Sequence, residues 1–451
     1  MAIPESKEEL KKSRIFFTID GATALTIMQL AGGAFLATLL STLGISDSKN
    51  GTISSLAVLA CIFQPVATIL TRNLKKFKLF VCFTAITQRL LFTFIFFIPF
   101  LNLQSDIKIW LFVFCFLMAH IMLQMGAPAA QDWIASLVPQ KLRGKYFGIR
   151  DLTSVFVISI SMLVSGVILD YFKNNNNILT AFMVIGIIIL VLTIINIISL
   201  SLISEPKYSD VNERGKELHG RLAKNSHKNH NSSFLSDLGG VFKDKRFKKV
   251  LILNIIWNIS LFISATYNAI YLFKELSLPY TFIMTVVFIV NIIRIFVTTI
   301  WSKLGDKYGM ARILKYAFLF LGINYLVLAF TVPQNAYIMF CIGSVFGAIA
   351  WGFIGVGILG VQLDYTPIKK RIAYMSINSS IAGICGFIFS VIGGFILNYI
   401  QAVKPTIFGK VIYGQQILNL ISFFVIIITI LYIKFSLQKE KKIVSNTDGR
   451  I

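Results

Sequence analysis

Twelve runs of about 20 predominantly apolar residues follow one another along the 451-residue chain, and a helix of that length crosses the hydrocarbon core of a bilayer. The runs fall at 15–43, 51–71, 78–101, 109–138, 146–172, 178–203, 249–273, 279–301, 313–332, 336–366, 372–400 and 410–434. Backbone in hydrocarbon must satisfy its own hydrogen bonds, so the expected fold class is an all-α polytopic membrane protein with 12 transmembrane helices. At 56% hydrophobic and 14% charged, the chain is far too apolar for a disordered one. Cys61, Cys82, Cys115, Cys341 and Cys385 all fall inside the runs, which predicts small packing residues and no disulfide framework.

A net charge of +23 invites comparison with nucleic-acid-binding proteins, so the positions of the 43 Lys and Arg matter more than their number. Thirty-five lie in segments on one side of the expected membrane, the side that holds both termini. Six lie on the other: Lys49, Lys108, Lys173, Lys274, Lys404 and Lys410. Arg89 and Arg294 are deeper in their runs. Basic loops stay cytoplasmic, which predicts cytoplasmic termini in the plasma (cell inner) membrane, with no nucleic acid among the partners. The opening MAIPESKEELKKSR precedes a run too long for a signal-peptide core and is read as retained.

One long polar stretch divides the runs into six and six. The expected units are 1–203, a basic linker 204–248, 249–436 and a tail 437–451. Within the linker, Phe234, Leu235, Leu238, Val241 and Phe242 recur at helical spacing opposite a basic face, predicting a helix lying on the membrane surface. His219, His227 and His230 upstream are read as solvated rather than metal-binding.

The two halves repeat. Shifted by 228 residues, 139–171 aligns without a gap on 367–399, with Pro139/Pro367, Lys141/Lys369, Arg143/Arg371, Tyr146/Tyr374, Gly166/Gly394 and Tyr171/Tyr399 among ten identities. Each block joins equivalent spans through a basic turn, so the copies share one orientation in the membrane. Parallel six-span repeats related by an axis along the membrane normal describe a transporter architecture.

Between the eighth and ninth runs stands Ser302-Lys-Leu-Gly-Asp-Lys-Tyr-Gly309, followed by Arg312. It resembles the G-x-L-A-D-R-x-G loop signature of the major facilitator superfamily, with Leu304, Asp306, Lys307 and Gly309 matching and Ser302 in place of the first Gly. The first-half counterpart, from Arg72 to Lys78, keeps the basic character and lacks the acid. The resemblance implies two six-helix bundles, with the first, fourth, seventh and tenth spans around a central path. It also implies a gate in which Asp306, with Lys307 and Gly309, meets the basic start of the fifth span, Arg143, Lys145 or Arg150, when the inner side is closed.

Ionisable and amide side chains within spans need polar surroundings and are the natural functional candidates. At 100° per residue, Gln124 is about 40° and Gln131 about 20° from His120 on the fourth span, forming one stripe. Asp132, about 120° away, is assigned to the inner gate. Arg150, Ser154 and Ser161 share a face in the fifth span, Asn254, Asn258 and Asn268 in the seventh, and Asn291, Arg294, Thr298 and Ser302 in the eighth. In the glycine-rich tenth span, Trp351 shares a face with Gly355 and Gln362. The expected solute-binding set is therefore His120, Gln124, Asn254, Asn258, Trp351 and Gln362. For ion coupling the candidates are Asp20, Arg89, Arg150 and Arg294. Asp20 leads because the charge of a buried carboxylate depends on its surroundings. Both Arg89 and Arg150 are possible partners for it.

The expected function is secondary active transport of a small polar organic solute, such as a sugar, nucleoside or peptide-like molecule, by alternating access with a proton as coupling ion. The chain is expected to act as a monomer in the lipid bilayer, without a cofactor or metal. It contains no G-x-x-x-x-G-K-[ST] loop that would bind ATP. Drug or metabolite export is one alternative, and a non-transporting membrane sensor is another. An intramembrane enzyme is disfavoured, because Asp132 is about 18 Å along the helix from His120.

Overall fold

Gly32 and Gly33 break the first apolar run. The computed structural model describes residues 7–72, 77–138, 143–204, 210–211, 217–218, 242–366, 371–407 and 410–437. In it the run forms two helices, Lys7–Leu30 and Gly33–Thr42, bent by 41° where Gly33 takes a φ of +50°, a left-handed conformation that favours glycine. Counted as one broken span, the pair makes twelve crossings with eleven further helices.

Span 2 runs Asp47–Leu59, tightens through a 3-10 turn at Ala60–Phe63 and continues as Gln64–Arg72. Span 3 is Phe77–Ile95, span 4 Ser105–Leu137, span 5 Arg143–Asn174 and span 6 Ile178–Leu202. In the second half, span 7 is Lys245–Ile270 with a wider turn to Glu275, and span 8 is Tyr280–Tyr308. Span 9 is Met310–Ala329, span 10 Ala336–Tyr365, span 11 Arg371–Val403 and span 12 Gly414–Tyr432. Two two-residue antiparallel ladders, Asp210–Val211 with Glu217–Leu218 and Thr406–Ile407 with Lys410–Val411, sit in the connections.

The repeat read in the sequence reappears as packing. Span 1 packs on spans 5 and 6, and span 3 on spans 4 and 6. Six spans later the same pattern returns, span 7 on 11 and 12 and span 9 on 10 and 12. The halves meet along two related seams, span 2 against span 11 and span 5 against span 8. Apolar side chains such as Trp110, Phe296, Phe395 and Tyr399 point outward and stay exposed, as expected where hydrocarbon is the solvent.

The apolar cores are distributed unevenly across the membrane. On the side away from the termini, here the far side, one cluster joins both halves, with Phe35, Phe96 and Phe182 of the first and Tyr271, Tyr280 and Met284 of the second. On the side of the termini, here the basic side, the halves have separate clusters. One contains Phe17, Trp133 and Leu200, the other Val250, Trp257 and Phe353.

Two expectations about boundaries change. Span 8 extends seven residues past 301, so the stretch from Ser302 to Tyr308 is helix and Gly309 alone joins it to span 9. Gly309 has φ +92°, which only glycine adopts readily. Span 7 begins at Lys245, four residues ahead of the expected 249, while Arg294, fourteen residues from each end of its helix, keeps its place in the inner part of the apolar run because the added Ser302–Tyr308 stretch is polar. Phe242 stands in a turn, while the remainder of the expected surface helix and His219, His227 and His230 lie outside the described residues.

Candidate functional site

Asp20 on span 1 is 6% exposed and needs a counter-charge. Arg89 of span 3 supplies it, with Nη2 donating to Asp20 Oδ1 at 3.1 Å. Asn196 of span 6 fixes the same carboxylate, its Nδ2 lying 3.0 Å from Asp20 Oδ1, 3.1 Å from the Asp20 carbonyl and 2.8 Å from Thr23 Oγ1. Arg89 Nη1 donates to the Ala85 carbonyl and to Gln88 Oε1, whereas its buried Nε has no hydrogen-bond partner among the described residues. A cavity of about 90 Å³, lined by Asp20, Thr84, Gln88, Arg89 and Gly126 among others, adjoins the pair.

Of the two arginines left open by the sequence, Arg89 makes the pair. Arg150 lies close to Gly21 in the middle of span 1, its Nε donating to the Phe17 carbonyl at 3.5 Å and its guanidinium over the Phe17 ring at 5.7 Å.

The far side of the molecule is sealed by polar contacts between the halves. Asp170, near the end of span 5, accepts from the backbone N–H groups of Tyr280 and Thr281 at 2.9 and 2.6 Å, satisfying two free donors at the start of span 8. Lys173 lies over the Tyr280 ring, whose hydroxyl is 2.7 Å from Thr38 Oγ1. Lys274 pairs with Asp47, and Gln401 donates to Asp47 and Glu275. The repeated glycines serve the two seams: a Cβ on Gly166 would be 2.8 Å from Met284, and one on Gly394 would be 2.7 Å from Ser48 Oγ.

Deeper contacts between the halves are Asn291 with Ser159 at 3.1 Å and Ser380 with the Cys61 carbonyl at 2.8 Å. These contacts and those near the far surface are described hydrogen bonds between the halves. On the basic side Asp306 and Lys307 are exposed, and Asp306 makes no ion pair among the described residues, so the pair with Arg150 expected for a closed inner side is not present here. The side chains of Gln131, Asp132, Arg143 and Lys145 lie outside those described.

Arg294 is exposed, although it sits at the middle of span 8. It is about 200° around the helix from the exposed Ile292 and Phe296, an apolar face suited to lipid, and about 60° from Asn291, which contacts Ser159 of the other half, so Arg294 is on the side of span 8 turned toward that half. Trp351 of span 10 is 36% exposed, its ring edge-on to the buried Trp257 at 5.6 Å. Gly355, one turn on, is exposed, and Gln362 is half-buried. Gln124 is half-buried and accepts from Gln64 Nε2 at 2.7 Å, beside the 3-10 turn of span 2.

Two expected solute-binding residues sit elsewhere. His120 is 8% exposed, its ring edge-on to Phe92 and Phe116 at 5.2 and 4.6 Å; this aromatic packing does not fit a solute-facing role. Asn254 is 4% exposed and its amide donates to the Val250 carbonyl one turn back; Asn258 is half-buried and donates likewise to Asn254. The Val250 carbonyl satisfies the Asn254 amide where a cavity was expected to. The sequence reading missed Asn196, Gln64 and Asp170. Asn196 had a signal, since an amide within the apolar run of span 6 requires a buried partner.

The family model of the Major Facilitator Superfamily matches residues 21–390. Over 125 residues the chain is 30% identical to the class H tetracycline resistance protein of Pasteurella multocida, a stretch covering 28% of this chain and only 30% of that relative's length. Among solved structures, the nucleoside transporter NupG superposes with a TM-score of 0.63 at 13% identity, covering 94% of this chain and 98% of that one. A D-xylose-proton symporter gives 0.65 at 14%, covering 94% and 96%. A bacterial homolog of the human lysosomal transporter Spinster, in an inward-facing and unoccupied conformation, gives 0.64 at 12%, covering 96% and 97%.

Proposed function

Because the chain belongs to the Major Facilitator Superfamily, we propose that it is a secondary active transporter that carries a small polar organic solute by alternating access with a proton as coupling ion. The observation that carries this reading is the asymmetry of the seams. Polar contacts and a shared apolar core hold the far side of the two halves together, while Arg294 and Trp351, well within their spans, stay exposed. Rocking the bundles about spans 2, 5, 8 and 11 would exchange that seal for one on the basic side.

In this reading the basic side is cytoplasmic and the membrane is the plasma membrane. Residues 1–203 and 249–436 are the moving bundles, joined by 204–248, with 437–451 as a tail, and the transporter acts as a monomer. Trp351, Gln362, Gln124 and the half-buried Asn258 contact the solute. Asp20 carries the proton and Arg89 responds to it, because neutralising the carboxylate frees a guanidinium that is costly to leave unpaired in the membrane. Asp306, next to Lys307 and the hinge at Gly309, meets Arg143, Lys145 or Arg150 when the basic side closes.

Purified protein in liposomes tests the reading. Solute accumulation driven by a proton gradient and abolished by dissipating that gradient is the expected result; a protein that moves no solute from a broad panel is a sensor. A second reading, drug export, is favoured by the matched stretch of the tetracycline resistance protein. Against it, the 156–172 stretch FVISISMLVSGVILDYF lacks the proline motif expected of drug antiporters in span 5.

A further inference from the structure

Among the described residues, the charges within the spans do not balance. Among the described residues Asp20 is taken by Arg89, and the carboxylates near the far surface are held by their own partners, Asp170 by the start of span 8 and Asp47 by Lys274. Arg294 has no ion pair among the described residues. On the register set by Asn291 and Ser159, exposed Asp151 of span 5 lies about five residues nearer the basic surface than Arg294. Arg294 also lies just on the open side of the Asn291–Ser159 contact, the deepest described hydrogen bond on that seam.

A guanidinium within a membrane span persists when it has water, an anion or both. Its neighbourhood fits an organic ligand. Gly352 packs against span 8, where a Cβ would be 3.1 Å from Val297 and 3.4 Å from the Thr298 nitrogen. That contact sets Trp351 within about one helical turn of Arg294 in depth, on a face that stays exposed. A planar cation with five donors beside a flat aromatic wall recognises an oxyanion attached to an organic body.

We infer that the transported solute is an organic anion, bearing a carboxylate, phosphate or sulfonate, and that Arg294 is its counter-charge. The inference rests on the transporter reading and narrows the solute class from polar to anionic. It moves Arg294 from ion coupling to solute binding.

The test uses the open position at Gly355, where an added Cβ would meet nothing within 4 Å. In full-length Gly355→Cys protein in liposomes, modification rates are measured with an anionic and a cationic methanethiosulfonate, each relative to a free thiol and above the parent protein. The anion-over-cation ratio is expected to exceed unity and to fall about three- to tenfold on adding Arg294→Gln, with Arg294→Lys retaining most of it. A ratio unmoved by Arg294→Gln, or no modification at Gly355→Cys, overturns the inference. Flux supplies the second arm, with gluconate against glucose and uridine monophosphate against uridine. Movement of the anionic members, lost in Arg294→Gln, supports it. Movement of the neutral members alone, unchanged in Arg294→Gln, overturns it while leaving the transporter reading intact. Absence of all flux counts against transport itself, and the modification ratio still decides the charge at Arg294.

Discussion

The two halves bury polar networks of different kinds between corresponding spans. In the first, spans 1, 3 and 6 enclose an ion pair, Asp20 with Arg89, braced by Asn196 and adjoining a cavity. In the second, the groups described between spans 7 and 12 are neutral. Ser260 and Ser422 exchange hydroxyl-to-carbonyl bonds at 3.0 and 2.8 Å, and Ser264 joins Asn419 and Gln415. A network of hydroxyls and amides can hold helices together without changing state. An ion pair beside a cavity can change state, because one proton alters both its charge and its desolvation balance. On the proposed reading, rigidity belongs to the second-half interior and a switch to the first, with the exposed Arg294 and Trp351 on the solute side.

The largest effect that would break this comparison is on stability. Asp20→Ala leaves a buried guanidinium unpaired and is expected to destabilise the protein by about 3–5 kcal/mol, read as a lowered thermal unfolding midpoint in detergent. Adding Arg89→Leu should restore most of it, and equal stability of single and double variants would mean the pair carries no energy. Asp20→Asn keeps an oxygen acceptor and removes the titratable charge. Its expected effect is a loss of about tenfold or more in proton-driven accumulation with solute exchange retained, equivalent to about 1.4 kcal/mol or more of coupling. Full proton-driven accumulation in this variant would take the switch away from the first half.

Smaller effects sharpen the contrast on the second-half side. Trp351→Ala should raise the half-saturating solute concentration about tenfold, or about 1.4 kcal/mol, with Trp351→Phe in between; direct binding measurements check it. An unchanged affinity would make Trp351 a packing partner of Trp257. Ser264→Ala, within the neutral network, should cost only about 0.6 kcal/mol of stability and leave transport unaltered. A loss of coupling in that variant would erase the distinction between the halves.

Much of the fold was legible because lipid imposes a simple rule on length and polarity. The runs found the helices, and the block shared by 139–171 and 367–399 anticipated seams that repeat, with Gly166 and Gly394 at corresponding close approaches. The site was legible in part. Asp20 and Arg89 stood out as rare charges, yet Arg150 had an equal claim on the carboxylate, because spacing along one helix says nothing of which neighbour faces it. His120 and Asn254 were misjudged for a related reason. Polarity at a helical position marks a need for a partner, and here aromatic rings and the helix's own carbonyls meet it. Gly309 lay within a motif, but only the backbone shows that a single residue turns the chain between two helices.

By itself the sequence determined the number of crossings, their grouping in six and six and the side that collects positive charge, since each follows from local apolarity and from counting. Only the tertiary structure decided which arginine neutralises Asp20, that the far side is sealed, and that Arg294 is left turned toward the other half without a described counter-charge. These depend on rotations and depths of helices distant in the chain, and pairing energies act across space without leaving a periodic trace in the residues that make them.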